Sequence, residues 1–381
     1  MDDDRILEVS FAALSHNISE IKNHAGEKSI LAMVKANAYG NGAVALTDYM
    51  HRKLEIKEFG VATLKEALSL RHNLSQDNDF DLYVFSELGF SRDDASEIYS
   101  NNRLIPVLSN KEDLKQFLDD SQFQNTPLVL KFNTGMNRLG LCVDDDDLND
   151  ICHLIKKSGR KKIDHYMSHF ANASLSLKDN SHNQRQISHY KKGMKFIRNN
   201  GIEIEASSLS SSGAIVQSPD FYEETHIRPG LILYGPNPLA PNLRKKFSWK
   251  GKIISSLKGR VLNKFFAPKG MPIGYGSLPV NHEAEFCTIS LGYADGVSRK
   301  FRNLEIRQGD FKGKIFGNVS MDMLALELDK TSESLLKVGD TVSLWGDDPE
   351  GFDRVSSHVD AISYEVMCNI SSRVKRIYLD H

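Results

Sequence analysis

The sequence predicts an α/β fold: a (β/α)8 TIM barrel over residues 1–240 followed by a C-terminal all-β domain over 241–381. The first ~10 residues are left as candidates to join the β domain, since boundaries read this way shift by a few residues. Three observations carry this reading. Eight short apolar runs recur in the first 240 residues with helical patterns between them, the mark of strand–helix repeats on a parallel sheet. Pro236 to Asn242 then hold three prolines and two asparagines, a break in any regular element. Beyond that break, β-type runs separated by turn residues follow one another with no helical pattern between them. A length of 381 residues suits two such units.

The candidate strands start near Ile30 (ILAMVKA), Phe59 (FGVAT), Asp81 (DLYVF), Leu104 (LIPVLS), Leu128 (LVLKFN), Ile163 (IDHYMSHF), Glu203 (EIEASSL) and His226 (HIRPGLILYG). Amphipathic segments such as KEDLKQFLDD and SHYKKGMKFIRNN lie between them and read as helices by their spacing. The acidic run Asp144 to Asp147 opens one such helix, because carboxylates favour the positive end of its dipole. In the second unit the strands are GKIISSLKGRVL, AEFCTISL, GKIFGNV, MLALEL and DTVSLWG.

Charge and composition exclude several functions. Lys and Arg number 48 against 50 Asp and Glu, a net charge of −2, so no polyanion-binding surface and no nucleic-acid partner is expected. No apolar stretch approaches the roughly 20 residues of a membrane-spanning helix, so no membrane partner is expected either. The opening MDDDRILEVS is acidic where a secretory signal is basic and then apolar, and a cytoplasmic location is expected. Cys142, Cys152, Cys287 and Cys368 form no CxxC pair and read as buried free thiols. His165 and His169 share the spacing of a helical metal pair, but their segment is strand-like, and no metal site is read.

In a barrel of this kind, reactive groups collect at the carboxyl ends of the strands. Lys35 ends the first run, with Tyr39, Gly40 and Gly42 permitting a tight turn behind it. A lysine after a strand is ordinarily a solvated surface residue, so its position alone proves little. Lys131 and Arg138 bracket the fifth strand end, and His169 tips the sixth. The seventh run passes into LSSSGAI, where Ser212 and small neighbours would let backbone amides approach an anion. Arg228, in the eighth run, needs an acceptor or ligand once buried. A strand-end lysine, an anion cup and an arginine at one mouth suit a phosphorylated aldehyde bound as a Schiff base, and the implied cofactor is pyridoxal phosphate. Neither a GxGxxG opening a helix nor a GxxxxGK[ST] loop occurs.

The strings AMVKANAYGNG, TGMNRLG, SHFANA, SSSGAI, IRPGLILYG, IGYGS, ISLGYADG, GNVSMD and ISYEVMCNISSRV, in this order over nearly the whole chain, resemble those of alanine racemases. The resemblance implies that Lys35 carries the cofactor and acts as base on one face of the bound amino acid, with Tyr275 the base on the other. Two are needed because inversion removes a proton from one side of Cα and returns one to the other. By the same resemblance Arg138 holds the substrate carboxylate and Met321 offers it an amide. His169 lies at the cofactor and beside the phenol, and Arg228 meets the pyridine nitrogen. Tyr39, Ser212 and Tyr364, with the backbone of Gly230 and Leu231, hold the phosphate, and Lys131 is a candidate for carbamylation by carbon dioxide. Tyr275 and Met321 lie in the second domain, which in that family reaches a neighbouring subunit, so a head-to-tail homodimer with shared active sites is implied. The implied activity is interconversion of L- and D-alanine, supplying D-alanine for peptidoglycan. The alternatives are a racemase of broader specificity, a barrel decarboxylase, which Arg228 disfavours, and a non-catalytic pyridoxal-phosphate-binding protein, which lacks the second domain. Asn41, Asn318 and Ser320 depart from the residues usual in the family, as does a Tyr275 to Tyr293 segment one residue short, which leaves the pocket rim open to change.

Overall fold

The computed structural model describes residues 4–74, 79–218, 220–346 and 349–380. The chain opens with β1 (Arg5–Ser10) and α1 (Phe11–Ala25). Strand–helix steps follow: β2 (Ser29–Met33) with α2 (Lys35–Tyr39) and α3 (Ala43–Leu54), β3 (Glu58–Thr63) with α4 (Leu64–Asn73), and β4 (Asp81–Glu87) with α5 (Ala95–Asn101). Next come β5 (Leu104–Leu108) with α6 (Lys111–Asp119), β6 (Val129–Lys131) with α7 (Asp145–Lys157), and β7 (Lys162–Met167) with α8 (Ser181–Asn199). β8 (Glu203–Ser208) with α9 (Ser212–Gln217) and then β9 (His226–Ile227) complete the series.

β2 to β9 pair in parallel in the order β8-β7-β6-β5-β4-β3-β2-β9, and a parallel bridge from Ser211 to Arg228 brings the two ends together into a barrel. The apolar runs become strands because both faces are covered: β5 is buried along its whole length, and Leu31, Phe59, Val61, Leu82 and Leu130 are inaccessible to solvent. Polar side chains set where the helices begin. Asp144 caps α7 by accepting the Asp147 amide, with Asp145 to Asp147 in the first turn as the acidic run predicts. Thr63 and Glu66 close a reciprocal capping box on α4.

The second unit contains β10 (Ser255–Ala267), the two-stranded hairpin β11 (Pro272–Ile273) and β12 (Leu278–Pro279), β13 (Ala284–Ile289), β14 (Glu305–Gln308), β15 (Phe311–Phe316), β16 (Leu324–Leu328) and β17 (Thr341–Trp345). It ends with α10 (Pro349–His358), α11 (Ser363–Cys368) and β18 (Lys375–Leu379). Its sheet runs β14-β15-β16-β13-β10-β1-β18, with β17 also on β10, so the first strand of the chain lies between β10 and β18.

Two expectations need correction. The second unit is mostly strand and not purely so, because α10 and α11 intervene before β18. Phe352, Val355 and Val359 share one buried helical face, with Phe352 edge-on to Trp345. The cysteines are all free, but only Cys152 and Cys287 are buried, while Cys142 and Cys368 are exposed. Cys142 lies just before the acidic cap of α7, and Cys368 ends α11.

Candidate active site

Lys35 leaves β2 into a turn of unusual hand. Ala36, Asn37, Ala38 and Tyr39 have φ of 50°, 54°, 52° and 53°, four consecutive non-glycine residues in the left-handed region. Each such residue costs roughly 1–2 kcal/mol, so the turn persists only because its surroundings hold it. Glu66 Oε1 accepts the Ala36 amide at 2.7 Å, and Asn37 Oδ1 accepts the Ala43 amide at 2.9 Å. From the second unit, Arg376 donates through Nε and Nη2 to the Gly40 carbonyl at 3.1 and 2.9 Å. Gly40 is required there, since its φ is 84° and a Cβ would stand 2.2 Å from the Met367 carbonyl oxygen.

Around Lys35 the ends of other barrel strands bring cations. Lys131 is the last residue of β6, His169 follows β7, and Arg228 follows β9. Arg138 stands on the exposed loop after β6. Burial, then the Arg138 charge, holds the Lys35 amine below the usual lysine range, opposed in part by Glu66. Burial, Arg228, Arg138 and Lys35 together push Lys131 down to about 8. Burial and then the same surrounding cations hold His169 well below its usual range, so its ring is neutral. Arg228 is 5% exposed and is itself pushed down by burial, with Glu224 the carboxylate that opposes this. Among the described residues, Lys35, Lys131, Arg138 and Arg228 make no ion pair with a carboxylate. The mouth therefore holds surplus positive charge awaiting an anion.

Hydroxyls gather at the turn that follows Lys35. Tyr39 packs 4.8 Å from Tyr234 and 5.6 Å from Tyr364, ring to ring. Ser212 Oγ accepts the Gly230 and Ile232 amides at 3.2 and 3.4 Å and hydrogen-bonds Tyr364. A Cβ on Gly230 would stand 2.4 Å from the Tyr39 hydroxyl, so the glycine is what lets that hydroxyl lie against the chain. Burial raises Tyr39 and pushes Tyr364 up to about 12, which keeps both as neutral hydroxyl donors.

Lys35, Tyr39, Lys131, Arg138, His169, Ser212, Arg228, Gly230, Leu231 and Tyr364 thus meet at one barrel mouth. Tyr275 and Met321 do not join them within a single chain. Tyr275 sits at the tip of the β11–β12 hairpin, 73% exposed, and Met321 is 50% exposed. Asn318, one of the departures from the family pattern, donates to the Tyr275 carbonyl at 2.9 Å. Three residues were given no site role by the sequence: Glu66, Arg376 and Cys368, a thiol near Lys35. The capping pattern Thr63-x-x-Glu66 could have marked Glu66; no local pattern marks the other two.

A closed parallel barrel whose strand ends bring together a half-buried amine, further cations and a set of hydroxyls defines an enzyme of the lysine-dependent barrel class. Comparison with known proteins narrows this. A family model for the alanine racemase N-terminal domain matches residues 9–238, and one for the alanine racemase C-terminal domain matches residues 254–378. The chain belongs to the alanine racemase family, a family of isomerases. It is 30% identical over 383 residues to an alanine racemase from Pasteurella multocida, covering 98% of each chain. An alanine racemase from Clostridium kluyveri is 29% identical, with 98% of this chain and 93% of that one covered. Among solved structures, alanine racemase from Clostridium difficile 630 superposes with a TM-score of 0.87 at 25% identity, covering 100% of this chain and 97% of that one. The Bartonella henselae enzyme, solved with covalently bound pyridoxal phosphate, gives 0.80 at 28% identity and 99% coverage of both chains.

Proposed function

We propose that this protein interconverts L- and D-alanine with pyridoxal 5'-phosphate held at the barrel mouth. The observation that carries the reading is that Lys35 shares its barrel mouth with Lys131, Arg138 and Arg228, none of them in an ion pair with a carboxylate among the described residues, while Tyr39, Ser212 and Tyr364 gather against Gly230. Such a site fits the cofactor: the phosphate and the substrate carboxylate are anions, and the mouth offers them cations and neutral hydroxyl donors. Lys35 would hold the aldehyde, Tyr39, Ser212 and Tyr364 with the Gly230 and Leu231 amides the phosphate, and His169 and Arg228 the ring. When bound, the cofactor delocalises the charge left on Cα by loss of its proton, a task beyond any ordinary side chain.

Lys35, held below the usual lysine range, is more often the free amine than an ordinary lysine and so is available to act as base on one face of the substrate. Tyr275 of a second copy would serve the other face, while Arg138 and Met321 fix the substrate carboxylate. A guanidinium does not give up its proton, so Arg228, in contact with the pyridine nitrogen, would leave that nitrogen unprotonated and would restrain side reactions. The exposure of Tyr275, Met321, Tyr293 at 47% and Met323 at 42% supports a head-to-tail homodimer that covers this apolar patch. D-alanine made in the cytoplasm would supply peptidoglycan; no helix among the described residues is long and apolar enough to cross a membrane. Lys131, pushed down to about 8, reaches more readily than a free lysine the neutral amine form that carbamylation by carbon dioxide requires.

The test is direct. Borohydride should fix the cofactor on Lys35, and L-alanine should lose its optical rotation in the presence of the protein. Protein that takes up no pyridoxal phosphate and leaves that rotation unchanged would overturn the reading.

A further inference from the structure

Behind Arg228 lies a set of buried polar side chains that none of the roles above uses. Arg228 donates through Nη1 to the Ser208 hydroxyl and through Nη2 to the Ser168 carbonyl. Ser168 is fixed in turn, its Oγ donating to the Phe132 carbonyl at 2.8 Å. On its far side, Ser208 Oγ lies 2.8 Å from His165 Nε2. His165 is 2% exposed, with the His226 ring 4.8 Å away and the Tyr83 ring edge-on at 6.2 Å. His226 Nε2 is 3.3 Å from Glu58 Oε1, which also accepts the Tyr83 hydroxyl at 3.4 Å. The line of contacts runs from Glu58, at the start of β3, through the barrel interior to Arg228.

Donor and acceptor chemistry gives the line a direction. A guanidinium only donates, so the Ser208 oxygen accepts from Arg228, and the hydroxyl proton needs another acceptor. His165 Nε2 is within reach of it. The imidazole must then be neutral, with its proton on Nδ1 and a lone pair on Nε2. Burial, His226 and Arg228 all hold His165 well below its usual range, which agrees with a neutral ring. Each group thus donates to the next, from Arg228 to Ser208 to His165, and dipoles aligned in this way reinforce one another. A carboxylate in place of His165 would also fix the serine, but its charge would offset that of Arg228. A neutral imidazole fixes the guanidinium and leaves its full charge facing the mouth.

We propose that His165, acting through Ser208, is a positioning residue for Arg228: a neutral acceptor that locks the guanidinium without neutralising it. The consequence for the cofactor ring rests on the reading of Arg228 given under Proposed function; the hydrogen-bond chain does not. His165→Leu removes the acceptor, and His165→Gln supplies an amide oxygen in its place. Loss of a hydrogen bond that supports a charged group should weaken pyridoxal phosphate binding and lower kcat by about tenfold in His165→Leu. The KM for alanine should stay within about twofold, because substrate contacts are not part of the chain. His165→Gln should recover most of both losses, which a purely space-filling role would not give.

A second measurement is independent of activity. In 15N-histidine-labelled protein, with and without added pyridoxal phosphate, His165 should be the Nδ1–H tautomer at every pH from 6 to 9. Ser208→Ala should move its Nε2 resonance. A His165 that carries its proton on Nε2 or titrates in that range overturns the inference. So does a His165→Leu protein that binds the cofactor and turns over like the parent. Failure of the parent protein to racemise alanine would instead remove the functional reading while leaving the histidine result standing.

Discussion

The Ala36 amide donates to Glu66 Oε1 at 2.7 Å, and this bond ties the first residue after Lys35 to the start of α4. The other carboxylate oxygen accepts the Ala62 and Thr63 amides at 2.8 and 3.2 Å. One side chain therefore caps a helix and anchors a left-handed turn. Glu66→Ala should lose about 2–3 kcal/mol of stability, as expected for a carboxylate bonded to several amides. It should also release the turn, so cofactor retention should fall further than stability alone explains. Urea unfolding of the cofactor-free protein, set beside equilibrium dialysis with pyridoxal phosphate, separates the two. Equal affinity in parent and variant would show that Glu66 serves the helix only.

Gly230 tests the phosphate cradle, because an added Cβ would meet the Tyr39 hydroxyl. The far end of a tyrosine can swing away, so Gly230→Ala should cost no more than about 1–2 kcal/mol in stability. Tyr39 would then leave the anion site, and cofactor affinity should drop by about tenfold or more, the worth of one hydrogen bond to a charged group. An unchanged affinity would remove Tyr39 from the phosphate contacts.

The strand–helix alternation was legible because most barrel strands carry a short apolar run between polar segments: Ile30 and Phe59 fall one residue inside β2 and β3, and Asp81 opens β4. Of the helical pair before β18, α11 was hidden by length, since it spans six residues, while α10 carried a helical period in Phe352, Val355 and Val359 that the β-type texture around it obscured. At the site, the strand-end rule singles out Lys35 and His169, because barrel geometry fixes where such residues go. The left-handed hand of the turn at Ala36 to Tyr39 could not be read, since alanine has no preference for it and Glu66 and Arg376 impose it from elsewhere in the chain. Arg376 itself spends its donors on backbone carbonyls, of Gly40, Ile370, Ser371 and Val374, and a side chain that recognises only main chain leaves no motif.

Lys131 carries a pH prediction. Its amine is pushed down to about 8 from an ordinary value of 10.5, by burial first and then by Arg228, Arg138 and Lys35. Between those two values the unfolded chain binds a proton that the folded chain has released, so stability rises with pH across this window. Lys35, lowered for similar reasons, acts in the same direction. Cofactor-free protein should therefore gain stability as pH climbs from about 8 toward 10, and Lys131→Met should flatten the slope and raise stability at its lower end. Denaturant unfolding across that range decides it; a parent protein whose stability is level there contradicts the proposed repulsion. In the same protein, 13C-bicarbonate should give a carbamate carbonyl resonance that Lys131→Met abolishes, and its absence from the parent would mean that Lys131 is unmodified.

Tyr275 and Lys35 offer the sharpest test, because a single chain does not bring them together: the tyrosine is 73% exposed at a hairpin tip, and the lysine lies inside the barrel mouth. If each active site takes its lysine from one subunit and its tyrosine from the other, then Lys35→Ala and Tyr275→Phe proteins are each inactive alone. Mixed under conditions that exchange subunits, half of the dimers are hybrids. One of the two sites in each hybrid pairs an intact Lys35 with an intact Tyr275, while the other lacks both. The mixture should recover roughly a quarter of the parental racemase activity, as head-to-tail symmetry requires. Sites built within one chain would recover none, because no chain in the mixture carries both groups. A Tyr275→Phe protein that racemises alanine at the parental rate would remove the phenol from the reaction before any mixing. The recovered fraction therefore counts the subunits that contribute to each site.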